Sequence, residues 1–312
     1  MNGLQLSREY YLNVAQPQLQ RDFPEIYPRL AAGLAGNGSE CFGYDDEFSR
    51  DHDWGVDFYI WTTESDISAI PSLRAWKDAL FEKSPPEFTR SRSEYGARIG
   101  VMTCGEFYAG LIGAPEGPKT LNEWIRAPEG NFAMAVNGEV FYDGPGLFTK
   151  TRDYLLGYFP DDLRRKRIAA KCMAIAQTGQ YNHERTAERR DWVTLRAVLS
   201  RFNDAATALV FLLNKVYRPY YKWAYRALSG LPILGRETAR LLLKIAEAGG
   251  LNEGSFLKRR RHISELCAFF TEELAAQDLS DSMDWFLAAH GEEVRRRIRD
   301  ESLRSLPTQY DI

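Results

Sequence analysis

Two groups in residues 38–53 have the types and spacing to do chemistry together. Gly38-Ser39 offers a tight turn whose backbone N–H groups and hydroxyl suit phosphate oxygens. Eleven residues separate Ser39 from Asp51, and Asp53 follows at i+2. On an extended chain that spacing puts both carboxylates on one face, roughly 6–7 Å apart. Such a pair can hold Mg²⁺, which takes hard oxygen ligands and binds through one or two carboxylates plus substrate phosphates. A metal so placed stabilises the attacking and leaving oxygens of phosphoryl or nucleotidyl transfer.

The elements that must position these groups can be read from pattern. Leu30–Ala35 is short, small and apolar, as a fully buried strand would be. Gly36, Gly38 and Gly43 make the next stretch a turn-rich loop. From Asp51 the residues alternate. Asp51, Asp53, Gly55 and Asp57 fall on one face, and His52, Trp54, Val56, Phe58 and Ile60 on the other. This predicts a strand from Trp54 to Trp61 with one acidic face and one core face. Asp57 is then a substitute ligand if the register shifts.

Residues 4–22 show helical spacing, and Pro24 and Pro28 break the chain. A helix is expected over 67–83 and a strand over 94–103. Further helices are expected from Glu106 to Ile112 and from Leu121 to Ile125. Asn137-Gly138 fits either a tight hairpin or a helix end followed by a short strand. Asp143-Gly144-Pro145-Gly146 is the best domain boundary. Beyond it the spacing is helical throughout, over Leu147–Gly157, Leu163–Thr178, Asp191–Tyr217, Tyr220–Ser229, Glu237–Ala248, Lys258–Ala276 and Asp281–Asp300. Asp161 is read as an N-cap.

Three other clusters carry polar groups. Gln180-Tyr181-Asn182-His183-Glu184-Arg185 precedes a long apolar helix and could meet phosphates, or could be a capped, solvated helix start. Leu212–Trp223 breaks at Pro219 among aromatic and basic residues. Lys222 could reach a triphosphate there, and Tyr217, Tyr220 and Tyr221 could stack on a base. The alternative is an aromatic packing corner. The basic runs Lys258–His262 and Arg295–Arg297 lie beside Glu265, Glu272, Glu273, Glu292 and Glu293. That pattern points to i,i+4 ion pairs and away from nucleic acid. No GxSxG, GxxxxGK[ST], HExxH or GxGxxG occurs.

The segment GNGSECFGYDDEFSRDHDWGVDFYIW resembles the signature of the nucleotidyltransferase superfamily with the DNA polymerase β-like fold. That signature is a GS or GG turn, a linker of comparable length, then D-x-D on a strand. Aminoglycoside nucleotidyltransferases belong to it. Together with LLNKVYRPYYKW, the wording GSE…FG…DDE…SRDHD looks like the DUF4037 group of bacterial proteins. The likeness covers residues 30–61 and, more loosely, 140–225. It implies Asp51 and Asp53 as Mg²⁺ ligands and Gly38 and Ser39 as the holders of a nucleoside triphosphate, ATP foremost. It implies a third carboxylate as ligand or general base, for which Glu94 is the candidate and Glu106 the runner-up. Arg185 and Lys222 are the expected basic partners of the phosphates. His52 stands where the middle residue of D-x-D is usually apolar, and the linker carries the extra acids Asp45, Asp46 and Glu47.

Composition sets the remaining bounds. The chain has 312 residues, 44% hydrophobic and 27% charged, with a formal net charge of −3. It is long enough for two domains and has no global bias toward nucleic acid or membrane. The cysteines have no zinc-ligand spacing and read as free thiols of a reducing cytosol. The N-terminal MNGLQLSREYYLNVAQ is polar, and no apolar run is long enough to span a bilayer. The expected protein is cytoplasmic and of α+β class. It would have a mixed-sheet nucleotidyltransferase domain over 1–145, a helical bundle over 146–312 and a cleft between them. The expected activity is Mg-dependent transfer of a nucleoside monophosphate to a hydroxyl acceptor. The alternative is a non-catalytic nucleotide-binding or antitoxin-like partner-binding protein on the same fold.

Overall fold

Small residues let a strand be covered on both faces, and Ala31–Leu34 is that strand. The computed structural model describes residues 2–50, 54–85 and 100–312. The chain divides into two compact units, Met1–Tyr158 and Phe159–Ile312.

In the first unit, helix α1 (Gly3–Tyr10) runs through a π-helical segment (Tyr11–Ala15) into α2 (Gln16–Asp22). Strand β1 (Ala31–Leu34), strand β2 (Tyr59–Thr62) and helix α3 (Ile70–Glu82) follow. Then come β3 (Val101–Thr103), α4 (Cys104–Ile112), α5 (Leu121–Arg126), α6 (Glu129–Val136), β4 (Glu139–Asp143) and α7 (Leu147–Leu156). The strands form one mixed sheet in the order β3-β2-β1-β4. Strand β1 is antiparallel to both β2 and β4, and β2 is parallel to β3.

Period-two alternation sorts the two faces of β2. Ile60, with Val56 and Phe58 just before it, packs with Tyr10, Tyr11, Leu19, Leu73 and Leu80 from α1, the π-helical segment, α2 and α3. Tyr59 and Trp61 face the other way, onto Phe107, with Phe148 of α7 stacked on Trp61 at 4.0 Å. Helix α7 therefore belongs with the sheet, although the turn at 143–146 precedes it. Its first turn supplies the ring that covers Trp61.

The strand expected from Trp54 is shorter than its pattern suggested. It begins at Tyr59, and Gly55 at φ 135° lies in the approach to it. Nor does the described part of that run keep an acidic outer face. Asp57 is buried and pairs with the buried Lys77 of α3 at 2.6 Å. The Lys77 ammonium also lies 5.2 Å from the Phe58 ring and 5.5 Å from the Phe81 ring. Asp57 is therefore committed to a core ion pair, which corrects its reading as a spare metal ligand. The Asn137-Gly138 pair joins α6 to β4, so the second of its two readings holds.

The second unit is helical. Its elements are α8 (Asp161–Ile175), a π-helical segment (Ala176–Asn182), α9 (His183–Glu188), α10 (Trp192–Asn214) and α11 (Tyr221–Leu228). These lead to α12 (Gly235–Glu247), α13 (Glu253–Ala276), α14 (Leu287–Arg296) and α15 (Glu301–Arg304). Helix α8 packs against α10 and α14. Pro160 rather than Asp161 occupies the N-cap of α8, and Asp161 instead pairs with Arg165 at 2.7 Å. The helix expected from Asp281 starts only at Leu287, because Ser280, Ser282 and Asp284 turn their side chains onto nearby backbone N–H groups. Among the described residues no helix is long and apolar enough to cross a membrane. Cys41, Cys104, Cys172 and Cys267 are free and buried.

The Asp57–Lys77 pair gives a direct test. Lys77→Met leaves a carboxylate stranded in the core and should cost about 3–5 kcal/mol in urea unfolding. Adding Asp57→Asn to that variant should recover a large part of the loss. Equal stability of the single and double variants would show that the pair is not what holds α3 to β2.

Candidate functional site

The Gly-Ser turn leaves the end of β1 and occupies residues 36–43. Its middle is a single turn of 3₁₀ helix (Glu40–Phe42) with Ser39 at the N-cap and Gly43 closing it in the left-handed region. Gly38 has φ 122°, and a Cβ there would lie 2.8 Å from the carboxylate of the buried Glu40. Only glycine fits both demands. Ser39 is half-buried, and its carbonyl accepts from the N–H groups of Phe42 and Tyr44 at 3.1 and 2.9 Å.

A segment about a hundred residues further along the chain holds this turn in place. The Asn137 side chain pairs with Gly36 in both directions. The Gly36 N–H donates to Asn137 Oδ1 at 2.7 Å, and Asn137 Nδ2 donates to the Gly36 carbonyl at 2.8 Å. The next residue continues the contact, the Gly138 N–H donating to the Cys41 carbonyl at 2.8 Å. Gly138 lies so close that a Cβ would stand 2.0 Å from the Leu34 carbonyl oxygen. The Gly138 carbonyl in turn accepts from Arg152 of α7 at 3.0 Å. The sequence marked Asn137-Gly138 as turn-forming, but nothing local marks its partner.

The register puts the approach to β2 at the same end of the sheet. Gly33 faces Tyr59 in the antiparallel pair. The chain leaving β1 and the chain entering β2 therefore share one end of the sheet. The acids of the linking loop have structural tasks. Asp45 Oδ2 accepts from the Gly3 N–H at 2.7 Å and from the Trp54 indole at 3.0 Å, tying α1 to the start of the β2 approach. Asp46 Oδ1 accepts from the N–H groups of Phe48 and Ser49.

Asp51, Asp53 and Glu94, with His52 between the first two, lie outside the described residues. Glu106, the runner-up acid, works as a helix cap. Its Oε2 accepts from the Thr103 N–H at 2.8 Å, and Thr103 Oγ1 accepts from the Glu106 N–H at 3.0 Å. That capping box corrects its reading as a free third carboxylate. Among the described residues no group of three or more His, Cys, Asp or Glu side chains could hold a metal ion.

The other two sequence-predicted residues are in the helical unit. Arg185 is exposed on α9, its guanidinium 4.9 Å from the Tyr181 ring. Lys222 is exposed on α11, its ammonium 5.1 Å from the Trp223 ring. Much of the polar cluster around Arg185 is structural. Gln180 Nε2 donates to the Trp285 carbonyl at 2.7 Å, and Gln180 Oε1 accepts from the Leu287 N–H at 2.9 Å. Its amide thus fixes the start of α14. Asp191 caps α10 through the Thr194 N–H.

His183 is buried, stacked on Phe256 at 5.0 Å and beside the buried Arg259, whose Nε lies 3.4 Å from its Nε2. Burial first, then the charges of Arg259 and Arg260, push the imidazole down to about 4. Described ion pairs engage Arg260 of the first basic run and all three arginines of the second. Arg260 pairs with Glu184, Arg295 with Glu292, Arg296 with Glu293, and Arg297 with Asp281.

A family model described as "Domain of unknown function (DUF4037)" matches residues 124–224. The matched stretch runs from α5 to the first turn of α11. It takes in Asn137, Gly138, Arg152, Arg185 and Lys222, and leaves the Gly-Ser turn itself outside. No curated protein and no solved structure matches the chain.

Two outcomes follow. Asn137→Ala removes two hydrogen bonds and leaves Gly36 without them, so it should cost about 2–3 kcal/mol. Asn137→Asp should behave likewise, because it sets an oxygen against the Gly36 carbonyl. A thermal melt within a degree or so of wild type would remove the clamp from the account.

The second concerns acid. His183 binds its proton more readily unfolded, near 6.5, than folded, near 4. Stability should therefore fall as pH drops through that window, by up to about 3 kcal/mol. His183→Gln should flatten that part of the urea-midpoint profile. Parallel profiles for the two proteins would contradict the assignment.

Proposed function

We propose that the protein is a Mg²⁺-dependent nucleotidyltransferase that moves a nucleoside monophosphate from a nucleoside triphosphate to a hydroxyl-bearing acceptor. The observation that carries this reading is the shared end of the sheet. The Gly-Ser turn, clamped by Asn137, leaves β1 at the end of the sheet where the chain from Trp54 enters β2. A glycine turn beside a strand that D-x-D precedes in the sequence is the arrangement that the nucleotidyltransferase resemblance implies.

In this reading backbone N–H groups at Gly38 and Ser39, with the Ser39 hydroxyl, bind the outer phosphates. Asp51 and Asp53 hold the metal, which supplies charge stabilisation at the α-phosphate when bound. Glu94 takes the proton of the acceptor hydroxyl as its oxygen attacks the α-phosphorus in line, and pyrophosphate leaves. Arg185 and Lys222, read from the sequence as basic partners of the phosphates, are both exposed in the helical unit. The rigidity of the Asn137 clamp supports the first step, since phosphate binding by backbone donors needs a turn that does not reorganise.

The test is Mg²⁺-dependent pyrophosphate release and label transfer from each of the four common nucleoside triphosphates, using cell extract as the source of acceptor. Wild-type protein should label an acceptor. Asp51→Ala with Asp53→Ala should reduce transfer by at least about a thousandfold while leaving the melt unchanged. Nucleotide binding without transfer in any extract would favour the non-catalytic reading. Transfer that survives the double substitution would refute the metal assignment.

A further inference from the structure

Buried cations in this protein find acceptors, with one exception. Lys77 meets Asp57 at 2.6 Å, and Lys166 gives its ammonium to three carbonyls. Arg164 donates to the Leu212 carbonyl and to Gln277 Oε1. Arg259 of α13 is 2% exposed, and its Nη2 has no acceptor. Among the described residues it is the one buried terminal nitrogen of a lysine or arginine left so.

The rest of that guanidinium is engaged. Nη1 donates to the carbonyls of Ala248 and Gly250, and Nε stands 3.4 Å from His183 Nε2. Ala248 closes α12, so Nη1 sets a cation at that helix C-terminus, where the dipole favours one. Capping accounts for Nη1 and leaves Nη2 unexplained. No described ion pair engages Arg259, and the charge that bears on it, that of Arg196, has the same sign. An arginine cannot shed its proton to escape this, as a buried lysine can. A guanidinium so placed calls for an anion.

The backbone around it suits one. Residues 249–252 link α12 to α13 and are exposed, with Gly249 and Gly250 leading. Gly250 runs so close to α13 that a Cβ there would stand 2.5 Å from Ser255 Oγ. Side chains on a helix lean toward its N-terminus, and Arg259 reaches back along α13 to this link. Asn252 caps α13 through the Ser255 N–H at 2.8 Å, and its carbonyl accepts from Phe256 at 3.1 Å. The amides of Glu253 and Gly254 stay outside this cap, at the positive end of a 24-residue helix. A glycine link, first-turn amides and a guanidinium reaching back to them are the parts of a phosphate receptor. A phosphate has oxygens for both the amides and Nη2, which a carboxylate would serve less fully.

We propose that the start of α13 binds a phosphate group, its oxygens shared between Arg259 Nη2 and the Glu253 and Gly254 amides as the glycine link lifts to admit it. The proposal does not rest on nucleotidyl transfer.

Calorimetric titration of the full chain with inorganic phosphate tests it. EDTA would be present and nucleoside triphosphate absent, so that failure here leaves the transfer reading untouched. Wild type should take up one phosphate above a chloride background of matched ionic strength. Glu253→Gln removes an exposed carboxylate beside the amides and should tighten binding by about twofold or more. Glu253→Pro also removes an amide, and proline fits the first helical position. It should bind about tenfold more weakly than Glu253→Gln. Arg259→Gln should lose about tenfold or more against wild type. Circular dichroism should show each variant folded. Glycerol phosphate binding more tightly than inorganic phosphate would mark the ligand as a phosphate monoester, and the reverse as the free ion; either upholds the site.

The proposal fails if wild type binds no phosphate above the chloride background. It also fails if Glu253→Pro matches Glu253→Gln, or if folded Arg259→Gln binds as wild type does. Binding lost in Asn137→Ala, which touches only the other unit, would give the phosphate to the Gly-Ser turn instead.

Discussion

The first unit depends on a side-chain amide acting as a piece of backbone. Asn137 presents one donor and one acceptor to Gly36, as a neighbouring strand residue would. A turn just beyond the end of β1 cannot continue the sheet ladder, because its residues curve away. Left alone it would expose its N–H and carbonyl groups to water and sample many conformations, at about 1–2 kcal/mol of entropy per ordered residue. The Asn137 amide satisfies both Gly36 groups at once and fixes the curvature. Gly138 then allows the two chains to touch, and Arg152 closes the back of the contact.

The same device recurs in the second unit. Asn214 pairs with both groups of Ile233, and Gln180 bridges the Trp285 carbonyl and the Leu287 N–H. Gln277 accepts from Arg164 at 2.6 Å and donates to the Leu213 carbonyl at 3.1 Å. These amides sit where a helix or strand ends and no regular partner remains. A neutral amide suits the task better than a charge. It supplies a donor and an acceptor together and loses less on leaving water. Where charge is used, it is enclosed. Lys166 is fully buried and gives its ammonium to the carbonyls of Pro307, Thr308 and Tyr310. Burial pulls its affinity for the proton down, and Asp311 and Glu292 oppose that shift.

This explains what could be read from sequence. Helical spacing found α3 and nearly every helix of the second unit, because burial of one stripe is a local, periodic demand. The small residues of Ala31–Leu34 announced a buried strand for the same reason. Alternation misled from Asp51 onward. A period of two cannot distinguish an outer acidic face from a second buried face in which the acid is paired, and Asp57 meets a lysine twenty residues away. Glu106 looked like a free carboxylate and is a cap, although Thr103 three residues before it was a legible sign. The partner of the Gly-Ser turn was not legible at all. Asn137 and Gly36 are joined only by the β1–β4 pairing, which no local pattern encodes.

The order of these dependences bears on how a site could arise on this sheet. A phosphate-binding turn needs backbone donors that hold still, and a carboxylate pair needs a strand that fixes its spacing. Register links the two, since Gly33 opposite Tyr59 fixes how far the turn stands from the chain entering β2. Both are anchored from outside that hairpin. Asp45 ties the linking loop to the first residues of α1 and to Trp54, and Asn137 ties the turn to β4. Each half is thus positioned by contacts that do not pass through the other. A substitution at one anchor should therefore displace its own half first. In the nucleotidyl-transfer reading proposed above, loss of phosphate affinity and loss of metal affinity would therefore be separable, which a site built on a single loop would not permit.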